Sequence, residues 1–212
     1  MMSDLPNILT LSRIGAIPVL VLLVAVGAPW ADLLAALLFG AAAITDYLDG
    51  RLAREMLQLS DFGRMLDPIA DKLLIGATLM ALVGFGHLPG LGIYPAIVIM
   101  LREILVSGLR EYLAEIRIGL PVTRLAKWKT GVQMAALGTL IAGDPTAGLL
   151  GLGWLPVAHI GEAMLWAAAL LTLVTGWDYL MAGLRHVGGG PIAVPAVTPP
   201  PRAVPRTGAH TG

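Results

Sequence analysis

Six apolar stretches dominate the sequence, each close to the length needed to cross a bilayer: Ile8 to Ala28, Ala31 to Leu48, Leu66 to Phe85, Ile93 to Leu113, Leu125 to Ala142, and His159 to Leu184. A helix rising about 1.5 Å per residue needs about 20 residues to span the hydrocarbon core. The stretches are rich in Ala and Leu and lack period-two alternation, so all six are expected to be helices. The expected fold class is therefore all-α, a polytopic membrane protein with six transmembrane helices. Arg13 ahead of an apolar run that ends in small residues also matches part of a secretory signal. Five further spans nevertheless commit the chain to the membrane, and the first makes the count even.

Composition agrees with this reading. Only 13% of the 212 residues are charged, 57% are hydrophobic, and mean hydropathy is +0.80, which excludes a typical soluble domain. Fourteen basic residues balance fourteen acidic ones, so net charge points to no nucleic-acid partner. There is no cysteine, which excludes disulfides and thiolate metal sites. The connections near Pro29, from His87 to Gly92 and from Gly143 to Pro156 contain no Lys or Arg, whereas the alternate side receives Arg13, Arg51, Arg54, Arg64, Arg117, Arg124 and Arg185. Positive residues collect on the cytoplasmic side, so both termini are expected there, in a bacterial inner membrane. The membrane domain is expected over residues 1–187. Residues 188–212 form a Pro- and Gly-rich tail, expected to be disordered because it cannot bury enough apolar surface to offset its ordering entropy.

The few charges are clustered. Ten fall between Asp46 and Lys72, and nine between Arg102 and Lys129. In the first cluster Asp46 and Asp49 lie at the end of the second span, and Asp67 and Asp71 in the first turns of the third. Spacings of three and four residues turn about 60° and 40° around a helix, so each pair shares a face. The short connection suggests that the two helices are antiparallel neighbours, bringing the four carboxylates to one seam. Ionised Asp near a bilayer costs up to about 3 kcal/mol each at the helix centre. Arg51, Arg54, Arg64 and Lys72 offer neutralising partners. Two Mg²⁺ or Mn²⁺ ions account better for the pattern, because four carboxylates supply both the charge and the hard oxygen ligands. Gly50, Ala53 and Gly63 leave room beside the carboxylates, and Arg54 adds a cation. A phosphate-bearing ligand bridging two metals fits that space.

The run Asp46-Tyr-Leu-Asp49-Gly50-Arg-Leu-Ala53-Arg54, followed at fixed spacing by Gly63, Asp67 and Asp71, resembles the signature of the CDP-alcohol phosphatidyltransferases, D-x2-D-G-x2-A-R-x8-G-x3-D-x3-D, at every specified position. The resemblance covers about residues 5 to 186. It implies the six-helix CDP-alcohol phosphotransferase fold and homodimers. It also implies that Asp46, Asp49, Asp67 and Asp71 hold two divalent cations, with Asp71 the general base toward the acceptor hydroxyl. Asp49, Gly50, Ala53, Arg54 and Gly63 would border the CDP-lipid donor, here CDP-diacylglycerol.

The signature leaves the acceptor open. Arg102-Glu103 recurs eight residues later as Arg110-Glu111, and Arg124, Lys127 and Lys129 follow without a carboxylate between Glu115 and Asp144. Arg110, Lys127, Lys129 and Arg102 are thus candidates for an acceptor phosphate, Arg as a forked donor and Lys as a point charge. Snorkelling anchors at Arg117 and Arg124, and a buried pair between Arg102 and a Glu, are the ordinary explanations. Asn7, Thr10 and Arg13, the Arg102-Glu103 and Arg110-Glu111 pairs, and Lys127-Trp-Lys129-Thr130 resemble the branch of the family that uses glycerol 3-phosphate. Asn7, Thr10 and Arg13 also read as a helix cap and interface anchor. Inositol phosphate, phosphatidylglycerol or serine are alternative acceptors. A divalent-cation or proton transporter is the alternative class, one that broken helices at midplane would favour.

Overall fold

The computed structural model describes residues 5–56, 61–115 and 124–187, with side chains at 46–56, 61–64, 178 and 182–187 among those outside the described set. The expected tail therefore lies outside the described residues. Six helices account for the described chain: α1 (Leu5–Val26), α2 (Pro29–Met56), α3 (Asp61–Gly84), α4 (Ile93–Glu115), α5 (Arg124–Leu149) and α6 (Val157–Val187). Each covers one of the six apolar stretches, α1 and α3 ending one or two residues before theirs. Ile8–Val26 and Val157–Met181 are long and apolar enough to cross a membrane, and Pro29–Thr45 is a shorter apolar stretch.

Hydropathy locates the apolar stretches but underestimates some helices. The second stretch ends at Leu48, yet α2 continues to Met56, and α3 begins at Asp61 rather than Leu66. Polar residues weaken the hydropathy signal without breaking the helix. At 28 residues α2 is about 42 Å long, more than the hydrocarbon core requires. Asp46 and Asp49 therefore lie within a continuous helix, while Asp67 and Asp71 occupy the second and third turns of α3.

The helices pack in the cyclic order α1, α2, α5, α6, α4, α3, closed by a lighter α3–α4 contact. Helix α1 packs on both α2 and α3; the end of α2 where a seam with α3 is expected, from Asp46 onward, has its side chains outside the described residues. One core cluster draws on all six helices, from Leu20 and Val24 through Phe39, Leu74 and Ile99 to Leu140 and Leu165. Outward faces are apolar too, with Leu22, Leu37, Met80, Leu101, Ile104 and Leu170 exposed, while Thr10, Arg13, Lys129, Gln133 and Thr172 are buried. An apolar exterior around buried polar groups suits lipid as the surrounding medium. Trp128 and Trp177 are exposed toward one end of the bundle and Trp30 and Trp154 toward the other.

Local chemistry sets the turns. Helix α3 closes in a Schellman motif, in which the His87 amide donates to Leu82 carbonyl and that of Gly86 to Val83, with Gly86 at φ 74°. His87 then meets buried Asp32 of α2 at 3.2 Å. Helix α5 is interrupted at Gly143 (φ 63°, ψ 179°), immediately after the fifth stretch. Asp144 beyond the break accepts from the Ala158 amide and so caps α6. This interruption lies at the end of the bundle opposite Asp67, not at the midplane that a broken-helix transporter would require.

Helices α5 and α6 approach closely at Gly161, where an added Cβ would lie 2.8 Å from Leu140 Cγ and 3.1 Å from Thr139 Oγ1. Gly161→Val should therefore separate them and cost about 1–3 kcal/mol by overpacking. A lowered thermal midpoint in detergent, relative to an exposed-face control at Gly15, would register the effect; Gly15 has open space at its Cβ.

Candidate active site

Helix α1 carries Thr10, Arg13, Ile17, Leu20 and Val24 at alternating spacings of three and four, a single face turned into the bundle. Its lower members pack in the apolar core, but Thr10 and Arg13 are polar and only 1% and 3% exposed. Helix α3 presents the complementary face. Asp67, Asp71, Leu74, Thr78 and Leu82 recur at the same spacings, with the last three buried. The faces meet as two bonds one turn apart. Thr10 donates its hydroxyl to Asp67 Oδ1 at 2.5 Å, and Arg13 donates from Nη1 to Asp71 Oδ1 at 2.9 Å. Both are charge-assisted bonds, the stronger class for stabilising a carboxylate. Arg13 has almost no solvent exposure, whereas the Asp71 side chain is 40% exposed. The ion pair is thus buried on its cationic side and open on its carboxylate side.

Of the four expected metal ligands, the structure places Asp67 and Asp71 together on the inward face of α3. Asp46, Asp49, Gly50, Ala53 and Arg54 lie on the α2 backbone and Gly63 on that of α3, with their side chains outside the described residues. The described part of the site fits hard divalent cations: two carboxylates on one face, oriented by neighbouring donors and reachable from outside.

A second polar cluster lies toward the same end. Lys129 is buried on α5 and its ammonium donates to Glu103 of α4. Arg102 Nη1 lies 3.6 Å from the same Glu103 oxygen. Its Nη2 donates to Thr175 of α6 at 2.9 Å, and its guanidinium stands 5.8 Å from the Tyr179 ring centroid. Gly176 makes room for the arginine stem, since a Cβ there would come within 3.0 Å of Arg102 Cγ. One carboxylate thus serves two cations brought together from α4 and α5. Arg102 does make the pair with a neighbouring Glu that its depth in the fourth span suggested.

The other two acceptor candidates are placed differently. Arg110 is exposed near the end of α4. Lys127 precedes Lys129 by two residues, about 200° around the helix. It is exposed and lines an outer groove of about 380 Å³ with Trp128, Gly131, Val132, Ala135 and Met164. The two lysines therefore face opposite sides of α5. Sequence spacing alone groups Lys127 with Lys129, but the inward-facing phase of α5 is set by Gln133, Ala136 and Leu140. Thr10 and Arg13, which resemble one branch of the family and also read as cap and anchor residues, touch the aspartates directly. Their shared spacing with Ile17 and Leu20 was the available signal.

Buried polar donors of α1 on α3 aspartates, within an all-helical bundle carrying the D-x2-D-G-x2-A-R…G-x3-D-x3-D pattern, define a CDP-alcohol phosphatidyltransferase. The chain belongs to that family, whose profile, CDP-alcohol phosphatidyltransferase, matches residues 3–174. Among individual relatives, it is 45% identical over 183 residues to the CDP-diacylglycerol–glycerol-3-phosphate 3-phosphatidyltransferase of Rickettsia bellii, covering 86% of this chain and 97% of that one. It is 39% identical to the enzyme of the same name from Cereibacter sphaeroides, covering 87% and 97%. A chloroplastic/mitochondrial form from Arabidopsis thaliana is 41% identical over 180 residues, covering 80% of this chain and 59% of that one.

The Lys129–Glu103 pair yields a stability test, because both side chains are largely buried, at 6% and 17% exposure. Glu103→Gln should cost about 3 kcal/mol by leaving two cations without their carboxylate. Adding Lys129→Gln should recover part of that loss. Denaturation midpoints in a double-mutant cycle would measure the coupling, expected at about 1–3 kcal/mol.

Proposed function

We infer that the chain transfers the phosphatidyl group of CDP-diacylglycerol to glycerol 3-phosphate, releasing CMP and forming phosphatidylglycerophosphate. The observation that carries this reading is identity of 45% with an enzyme of that name across 97% of its length. The inward-facing Asp67 and Asp71 agree with it.

In this proposal all six helices cross the membrane, with both termini and the site on the cytoplasmic side, and the chain forms a homodimer. A two-chain donor enters laterally from lipid while the small acceptor arrives from water. Asp46, Asp49, Asp67 and Asp71 hold two divalent cations, Mg²⁺ or Mn²⁺, which when bound neutralise the donor pyrophosphate and the departing CMP. Asp49, Gly50, Ala53, Arg54 and Gly63 border the CDP moiety. The primary hydroxyl oxygen of glycerol 3-phosphate attacks the phosphatidyl phosphorus, and the bond from that phosphorus to the oxygen bridging to CMP breaks. CMP leaves with the bonding pair, and Asp71 takes the hydroxyl proton. Arg13 holds Oδ1 of Asp71 so that the carboxylate keeps a fixed orientation.

Arg102 and Lys129, already assembled around Glu103, are the better-placed cations for the acceptor phosphate, and Arg110 lies further along the same helix as Arg102. A phosphorylated acceptor suits this clustered positive charge better than serine does.

Purified protein with Mg²⁺ or Mn²⁺ and CDP-diacylglycerol should release CMP on addition of glycerol 3-phosphate, and not with serine or inositol phosphate. CMP release with another acceptor alone would reassign the substrate. Asp71→Asn should lower kcat by about 10²–10⁴-fold, the range for a lost general base. Lys129→Ala should raise KM for glycerol 3-phosphate by about 10–100-fold, the equivalent of one charge-assisted bond. An equal rise in KM for CDP-diacylglycerol would remove Lys129 from the acceptor pocket.

A further inference from the structure

We propose that Thr10 is a positioning residue for divalent-cation binding. It acts through Asp67 and makes the first helix part of the metal site. The inference rests on the proposed role of Asp67 as a metal ligand and extends it to a residue outside the aspartate signature. Thr10 is 1% exposed and donates to Asp67 Oδ1 at 2.5 Å, across 57 residues of sequence. A carboxylate without a fixed partner has rotational freedom about its own side-chain bonds. A hydroxyl donor fixed to one oxygen removes much of that freedom and directs the group toward a single ligating orientation. Outer partners of this kind tune metal affinity about 10–100-fold.

Arg13 supports the arrangement by setting helix register. It lies three residues beyond Thr10, and Asp71 lies four beyond Asp67, so its bond to Asp71 aligns α1 and α3 and brings Thr10 opposite Asp67. Below this level Leu20 and Val24 pack with Leu74 and Leu82 in one core. The backbone of α1 is thereby held, and the Thr10 hydroxyl needs little further ordering to reach its acceptor.

The test uses full-length protein in detergent, titrated with Mn²⁺ while the EPR signal of the free ion is followed. Thr10→Val keeps the side-chain shape but removes the donor, and should weaken Mn²⁺ binding about 10–100-fold. Thr10→Ser restores a hydroxyl and should bind within a few-fold of wild type. The Mn²⁺ concentration giving half-maximal CMP release should shift in parallel, without a matching change in KM for glycerol 3-phosphate. Thr10→Ala provides a second donor-free variant should the valine fail to fold, and thermal midpoints report folding for each. If Asp67→Asn loses Mn²⁺ binding while both donor-free variants retain wild-type affinity, the role of Thr10 is overturned and that of Asp67 stands. If Asp67→Asn itself binds as wild type, the metal-ligand reading of Asp67 falls and the inference falls with it. Failure of the serine to restore affinity lost in the valine variant would also count against the hydroxyl.

Discussion

A carboxylate held at the end of an apolar helix bundle needs an answering charge or donor. The pairing of α1 with α3 supplies one for each of two aspartates. Thr10 and Arg13 reach Asp67 and Asp71 because both helices turn the same spacing of polar and apolar residues toward one another. The apolar continuation of these faces holds the helices in contact. The polar ends then determine what the contact accomplishes. The Leu20, Val24, Leu74 and Leu82 packing supports the register that matches Thr10 to Asp67.

The same logic governs α4, α5 and α6. Arg102 and Lys129 arise on different helices, yet both are drawn to Glu103, with Thr175, Tyr179 and the space left by Gly176 holding Arg102 from α6. Buried cations in such a place are expensive unless compensated, and one carboxylate shared between two of them leaves a net positive cluster. This is a suitable electrostatic environment for an incoming anion. Compensation by Glu103 lets the two cations stay buried inside an apolar bundle.

The six helices, the helical placement of all four aspartates and the polar end of the bundle were legible in the sequence, because apolar length and helical spacing are local properties. Helix ends were less legible. Asp46 to Arg54 depresses hydropathy where the backbone remains helical, so the apolar stretch ends before α2 does. A short connection between α2 and α3 indicates closeness in the chain, whereas the packing of α1 on both of them was not legible there. Lys127 shows the same limit on a smaller scale: two residues from Lys129, it faces the opposite side of α5.

The sequence by itself determined the all-helical class, the family and the identity of the charged residues, since apolar periodicity and a fixed-spacing motif are written along one dimension. Only the tertiary structure decided that α1 packs on both α2 and α3, that Thr10 and Arg13 hold Asp67 and Asp71, and that Lys129 reaches Glu103. These pairings join residues 26 to 58 positions apart. Their partners are selected by helix register and by the penalty for leaving a buried charge unanswered, neither of which is contained in local spacing.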